Sequence, residues 1–140
     1  MIAIDGTVLI DDAYAEYAVY VVAGGDSSLG NDFPITAIEG TVSLTNDPGT
    51  DAWRVLVAAF DSASPSGDPQ YFSLQYTASG TTSYPYLLFL NTDAFPDDAY
   101  ILSVVRDESE VDQDSGAYGS NPLSVSGGST RSNINITTSP

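Results

Sequence analysis

Trp53-Arg54-Val55-Leu56-Val57-Ala58-Ala59-Phe60 is apolar at every position but one and stops at Asp61-Ser62. A run this short, with aromatic ends and two valines, suits a pleated strand better than a helix. Successive side chains of a strand point to opposite sides, which sets Val55, Val57 and Ala59 against Leu56, Ala58 and Phe60. Both faces are then apolar, as expected of a central strand or of one covered by a partner. Trp53 is placed to plug one end of a core.

The same grammar extends in both directions. Runs of Val, Ile, Leu, Tyr, Phe and Thr recur between clusters of Gly, Pro, Asp, Asn and Ser, giving strands at residues 2–10, 17–23, 35–44, 53–60, 71–76, 84–90, 100–106, 123–126 and 132–137. In the last of these Ile134 and Ile136 alternate with Asn133, Asn135 and Thr137, so one of its faces is wet. No window sustains a 3.6-residue apolar period, so no helix longer than about two turns is expected. The reading is an all-β, antiparallel two-sheet sandwich of prealbumin-like or Ig-like type.

The 140 residues make one domain, able to bury about two-thirds of the surface its unfolded form exposes. There is no cysteine, histidine or lysine. That removes thiolate chemistry, the usual general base, the commonest metal ligand and every catalytic lysine. A catalytic mechanism would have to be built from carboxylates, and Asp5-Gly6-Thr7 is not the Asp-Thr-Gly order of an aspartic protease. No enzyme is expected. Nineteen acids against three arginines give a net charge of −16, which repels nucleic acid and anionic membrane surfaces. Fifteen of the acids are aspartate, the turn-favouring one, so the charge gathers in loops. Such a surface suits concentrated salt or a load of divalent cations. The apolar runs at 17–23 and 84–90 fall far short of the roughly 20 residues of a membrane span, and no membrane insertion is expected. Met1 leads directly into the strand-like run 2–10, with no basic or apolar leader between them.

Ile38-Glu39-Gly40-Thr41-Val42-Ser43-Leu44, then Val55-Leu56-Val57-Ala58-Ala59-Phe60-Asp61, then Tyr84-Pro85-Tyr86, then Asp98-Ala99-Tyr100-Ile101-Leu102-Ser103-Val104-Val105-Arg106-Asp107, an acidic loop to Gly119 and Asn133-Ile134-Asn135-Ile136-Thr137 follow in an order that resembles a transthyretin-like (prealbumin-like) sandwich. Such modules occur as carboxypeptidase regulatory-like domains of surface proteins. The resemblance covers about the last hundred residues and implies a scaffold, spacer or adhesion unit with no reaction. It leaves residues 1–34 as an N-terminal extension carrying two extra strands, ahead of a sandwich domain at 35–140.

Ile4-Asp5-Gly6-Thr7-Val8 echoes Ile38-Glu39-Gly40-Thr41-Val42. An N-terminal strand that mimics an internal one can occupy the equivalent edge of a neighbouring subunit, with Ile2, Ile4, Val8 and Ile10 as the assembly strand. Asp107, Glu110, Asp112 and Asp114 form the candidate cation site, because alternating carboxylates in a bent loop can offer calcium its six to eight oxygens. The run lacks the early glycine and terminal glutamate of an EF-hand. Asn135-Ile136-Thr137 fits a glycosylation sequon at Asn135. Tyr84 and Tyr86 are candidate stacking residues for carbohydrate, against core packing as the plainer role. Three functions follow. The first is a structural subunit of a non-covalent extracellular filament at the cell surface, built from copies of itself by strand pairing. The second is a virion structural protein of a tailed virus from a salty habitat. The third is a carbohydrate- or partner-binding adhesion module.

Overall fold

The computed structural model describes residues 3–4, 7–8, 35–69, 71–91, 95, 98–125 and 130–140. Its strands are β1 (Ala3–Ile4), β2 (Thr7–Val8), β3 (Ile35–Ser43), β4 (Arg54–Phe60), β5 (Tyr71–Tyr76), β6 (Ser83–Asn91), β7 (Asp98–Arg106), β8 (Asp112–Ala117), β9 (Leu123–Ser124) and β10 (Ile136–Thr137). No helix occurs among the described residues. The strand expected at 17–23 lies outside them.

Two sheets carry the fold. One runs β10-β3-β6 and the other β5-β4-β7-β8, with β9 pairing the start of β7. Val55, Val57 and Ala59 of β4 face Ile38, Val42, Leu88 and Leu90 of the smaller sheet's strands in one core cluster, with Ala99, Ile101 and Val105 from β7. The alternation is clean in β6 and β7, where every second side chain is buried. Trp53 packs against the core from its end, as its place before β4 implied.

Three expectations are corrected. The smaller sheet is mixed, since β10 runs parallel to β3 with Ile136 opposite Val42. An antiparallel neighbour needs only a hairpin, but the C-terminal segment arrives after β9 on the other sheet and enters β3's edge from the same end as β3 itself. Second, Asp112-Gln113-Asp114-Ser115-Gly116-Ala117, expected within the acidic loop, is a strand, β8, paired to β7. None of its residues favours strands, and its conformation is imposed by the ladder of its neighbour. Third, the described parts of the run 2–10 are not one continuous strand. Ala3 pairs with Val8 and Ile4 with Thr7, so the chain doubles back.

The C-terminal segment closes one side of the sandwich. Arg131 bridges Ile38 on β3, and Ser139 bridges Ser115 on β8. Two inward glycines make room for it. A Cβ on Gly40 would stand 2.0 Å from the Ile134 carbonyl oxygen, and one on Gly116 would stand 2.6 Å from that of Thr137.

Candidate functional site

The acidic run begins where β7 ends. Asp107 folds the turn around itself: its Oδ1 accepts the N–H groups of Ser109 (2.8 Å) and Val111 (3.0 Å), and its Oδ2 accepts Gln113 Nε2 (2.9 Å). Glu110 takes a positive φ of 62° and sends its carboxylate to Arg54 Nη2 at 2.5 Å. Asp112 pairs with Arg106 Nε at 2.6 Å. Asp114 turns inward and is only 2 % exposed.

Asp112 and Asp114 would share a face in an unbroken strand, which is what made their spacing suggest a common cation. A bulge between Val105 and Arg106 breaks that parity. Asp114 lies opposite inward Val105, and Asp112 lies opposite outward Arg106. The four carboxylates of the expected calcium site are therefore held by four separate sets of partners, and no group of three potential metal ligands forms among the described residues.

Asp114 ties three segments together. Asn46 Nδ2 donates to its Oδ1 at 2.7 Å and Thr138 Oγ1 to its Oδ2 at 3.0 Å. The Thr45 hydroxyl bonds the Thr138 carbonyl beside it. One buried carboxylate thus joins β8, the loop after β3 and the C-terminal segment. Nothing in the sequence marks Asp114 apart from its acidic neighbours.

Tyr84 and Tyr86, read as candidate stacking residues, are 4 % and 5 % exposed and offer no ring face to a ligand. They fall on the inner side of β6. The Tyr84 hydroxyl donates to the Thr81 carbonyl at 2.6 Å and accepts the Ala78 N–H at 3.1 Å. The Tyr86 hydroxyl donates to the Ile134 carbonyl at 2.6 Å. Burial, and next the neighbouring Tyr118, push the Tyr86 phenol above the ordinary tyrosine value. The folded chain keeps this phenol neutral while the unfolded chain ionises it near pH 10. Its contribution is therefore whole below about pH 10 and lost as pH rises above that. Urea melts at pH 8 and pH 11 are expected to show a smaller alkaline loss in Tyr86→Phe than in the parent chain, on top of a cost of about 1 kcal/mol at pH 8. An equal alkaline loss would remove Tyr86 from that account.

Asn135 is exposed, with its Oδ1 accepting the Thr41 N–H at 3.0 Å. Of the expected assembly strand, Ile4 and Val8 fall in the β1–β2 hairpin, while Ile2 and Ile10 lie outside the described residues.

The feature the sequence foreshadowed best is the outer face of the larger sheet. Leu56 lies between Leu74 and Val104, Ala58 between Phe72 and Leu102, and Phe60 beside Tyr100. All of these lie on the side of the sheet away from the core, with Ala58 only 2 % exposed and Leu74 and Tyr76 48 % and 68 % exposed. A shallow depression crosses the face, lined by Leu56, Phe72, Leu74 and Val104 with Arg54 and Arg106 at its margin. Those two arginines, of the chain's three, are matched here by Glu110 and Asp112. Comparison of the chain with protein-family models, with curated proteins and with solved structures returns no match. The functional reading therefore rests on this geometry.

Proposed function

We propose that the protein is a non-catalytic structural subunit that assembles with copies of itself through the outer face of its larger sheet. The observation that carries this reading is the apolar outer face of β5, β4 and β7, half-buried at Leu56, Phe72 and Val104 and exposed at Leu74 and Tyr76. Contiguous exposed apolar patches on acidic, otherwise polar chains mark interaction sites. The margin of the face favours a second copy as occupant. With −16 on each chain, like molecules repel over most approaches. This face carries Arg54 and Arg106 beside Glu110, Asp112 and Asp68, so it is less negative than the rest of the surface and two copies meeting here repel least.

A prealbumin-like type for the sandwich belongs to the same proposal, as does an address at the cell surface. The first is supported by the order of residues from Ile38 onward. The second is supported by the scaffold and adhesion roles that the resemblance implies.

Light scattering coupled to size exclusion tests the assembly. The parent chain is expected to run as a multimer that tightens with added salt, because screening weakens the repulsion of the acidic surfaces. Leu74→Lys with Tyr76→Lys is expected to return it to a single chain without changing its far-ultraviolet circular dichroism. A parent chain that stays monomeric at millimolar concentration overturns the proposal.

A further inference from the structure

The end of the sandwich where β4 stops and β5 starts holds a cavity of about 180 Å³. Phe60, Tyr71 and Phe95 wall it, with Asp61, Ser66 and Asp68 at its lip. Register brings these residues together: Ala59 pairs with Tyr71, which sets Phe60 and Asp61 beside the start of β5. Phe95 meets Tyr71 edge to face, with ring centroids 5.6 Å apart and planes at 68°, so the two rings form the sides of a corner. Phe95 is buried, Phe60 and Tyr71 are half-buried, and the three polar residues are exposed.

The chemistry of these walls selects a class of ligand. Aromatic faces carry the negative part of a quadrupole and two carboxylates add full charge, so both attract a cation. The chain's own cationic side chains are engaged elsewhere. It has no lysine or histidine, Arg54 and Arg106 pair with Glu110 and Asp112, and Arg131 Nε donates to the Ser124 carbonyl. Arg106 lies within electrostatic reach of Asp68, but its hydrogen-bonded partner is Asp112. A hard metal ion suits this cavity poorly, since calcium and magnesium want a shell of oxygens and no group of three potential metal ligands forms among the described residues. A bare ammonium is strongly hydrated and gains little from ring walls. A methylated ammonium offers apolar methyls to the rings and its charge to both rings and carboxylates. The volume is below the roughly 300 Å³ at which drug-sized pockets begin, so a headgroup fits and a bulky ligand does not.

We propose that this cavity binds a methylated ammonium head, carried by a free small cation or by an alkylated lysine side chain. Phe60, Tyr71 and Phe95 supply the ring walls, and Asp61 and Asp68 the countercharge. The depression on the outer sheet face shares only Asp68 with the cavity, so binding here does not depend on assembly there.

Choline and its neutral carbon isostere, in which a tert-butyl group replaces the trimethylammonium, have the same shape and differ in charge. Each is titrated into the full chain at fixed ionic strength while amide resonances are followed by nuclear magnetic resonance. Choline is expected to give saturable shifts at Phe60, Asp61, Ser66 and Tyr71 and to bind about tenfold more tightly than the isostere, a ratio within reach of one or two cation–π contacts. Equal affinities or no saturable shift overturn the proposal. Shifts that sodium chloride reproduces overturn it too, because they report screening of the −16 charge. Phe60→Leu keeps the apolar bulk without the ring, and Asp61→Asn removes a charge at an exposed position. Both are expected to weaken choline several-fold and to leave the isostere and the far-ultraviolet circular dichroism unchanged, and choline binding untouched by either variant overturns the proposal. Titration with acetyl-trimethyllysine amide separates the two sources: tighter binding than choline marks a side chain as the ligand, and equal or weaker binding marks a free cation.

Discussion

Gly40→Ala is expected to cost on the order of 3–4 kcal/mol, the upper end of what overpacking a closed site takes. The new methyl carbon would lie 2.0 Å from the Ile134 carbonyl oxygen, and backbone cannot yield as a flexible side-chain tip can. Gly40 also lies opposite Tyr86 in the β3–β6 ladder, and the Tyr86 hydroxyl donates to that same carbonyl. Moving the carbonyl away from alanine therefore also stretches a buried hydrogen bond, a loss of about 1 kcal/mol within that total. The observable is a urea midpoint lowered by about 2 M, given slopes of about 1–3 kcal/mol/M for small domains. Amide exchange should accelerate first along residues 131–139. A midpoint within error of the parent's would mean that the C-terminal segment does not sit against β3 as described.

Asp114→Ala is expected to cost about 3 kcal/mol, whereas Asp112→Ala costs about 0–1 kcal/mol. The two aspartates are two residues apart in one acidic run. Truncating Asp114 empties a buried carboxylate position and takes from the buried Thr138 hydroxyl its nearer acceptor, leaving it the Ser43 carbonyl at 3.4 Å, while the exposed Asn46 loses its tie to β8. Truncating Asp112 releases Arg106 into water, since both side chains are largely exposed. Chemical denaturation of the two variants side by side checks the contrast. Equal losses would contradict the inward placement of Asp114. The same pair of variants bears on metal binding, because a shared cation would tie their melting temperatures to calcium, while the separated carboxylates described above would not.

The positions and faces of β3 to β7 were legible in the sequence because period-two alternation is a local property, whereas β8 was not foreseen and the strand expected at 132–137 is one only at Ile136–Thr137. Val55, Val57 and Ala59 could be set against Leu56, Ala58 and Phe60 without knowing any neighbour, and the two apolar faces of β4 already implied a covering partner or a central place. Ile134 and Ile136 were separable from Asn133 and Asn135 on the same ground. What local pattern could not decide was pairing. The direction of β10 depends on where the chain re-enters the smaller sheet, and β8 is a strand through the ladder of β7 despite its composition. Tyr84 and Tyr86 read more plainly as core than as a ligand platform, and the second sheet fixed the matter by covering their side of β6. The acidic run shows the division most plainly. Its residues declared a charged turn, but a single bulge beside Arg106 sends Asp112 outward and Asp114 inward, because one extra residue in a ladder reverses the face of everything beyond it.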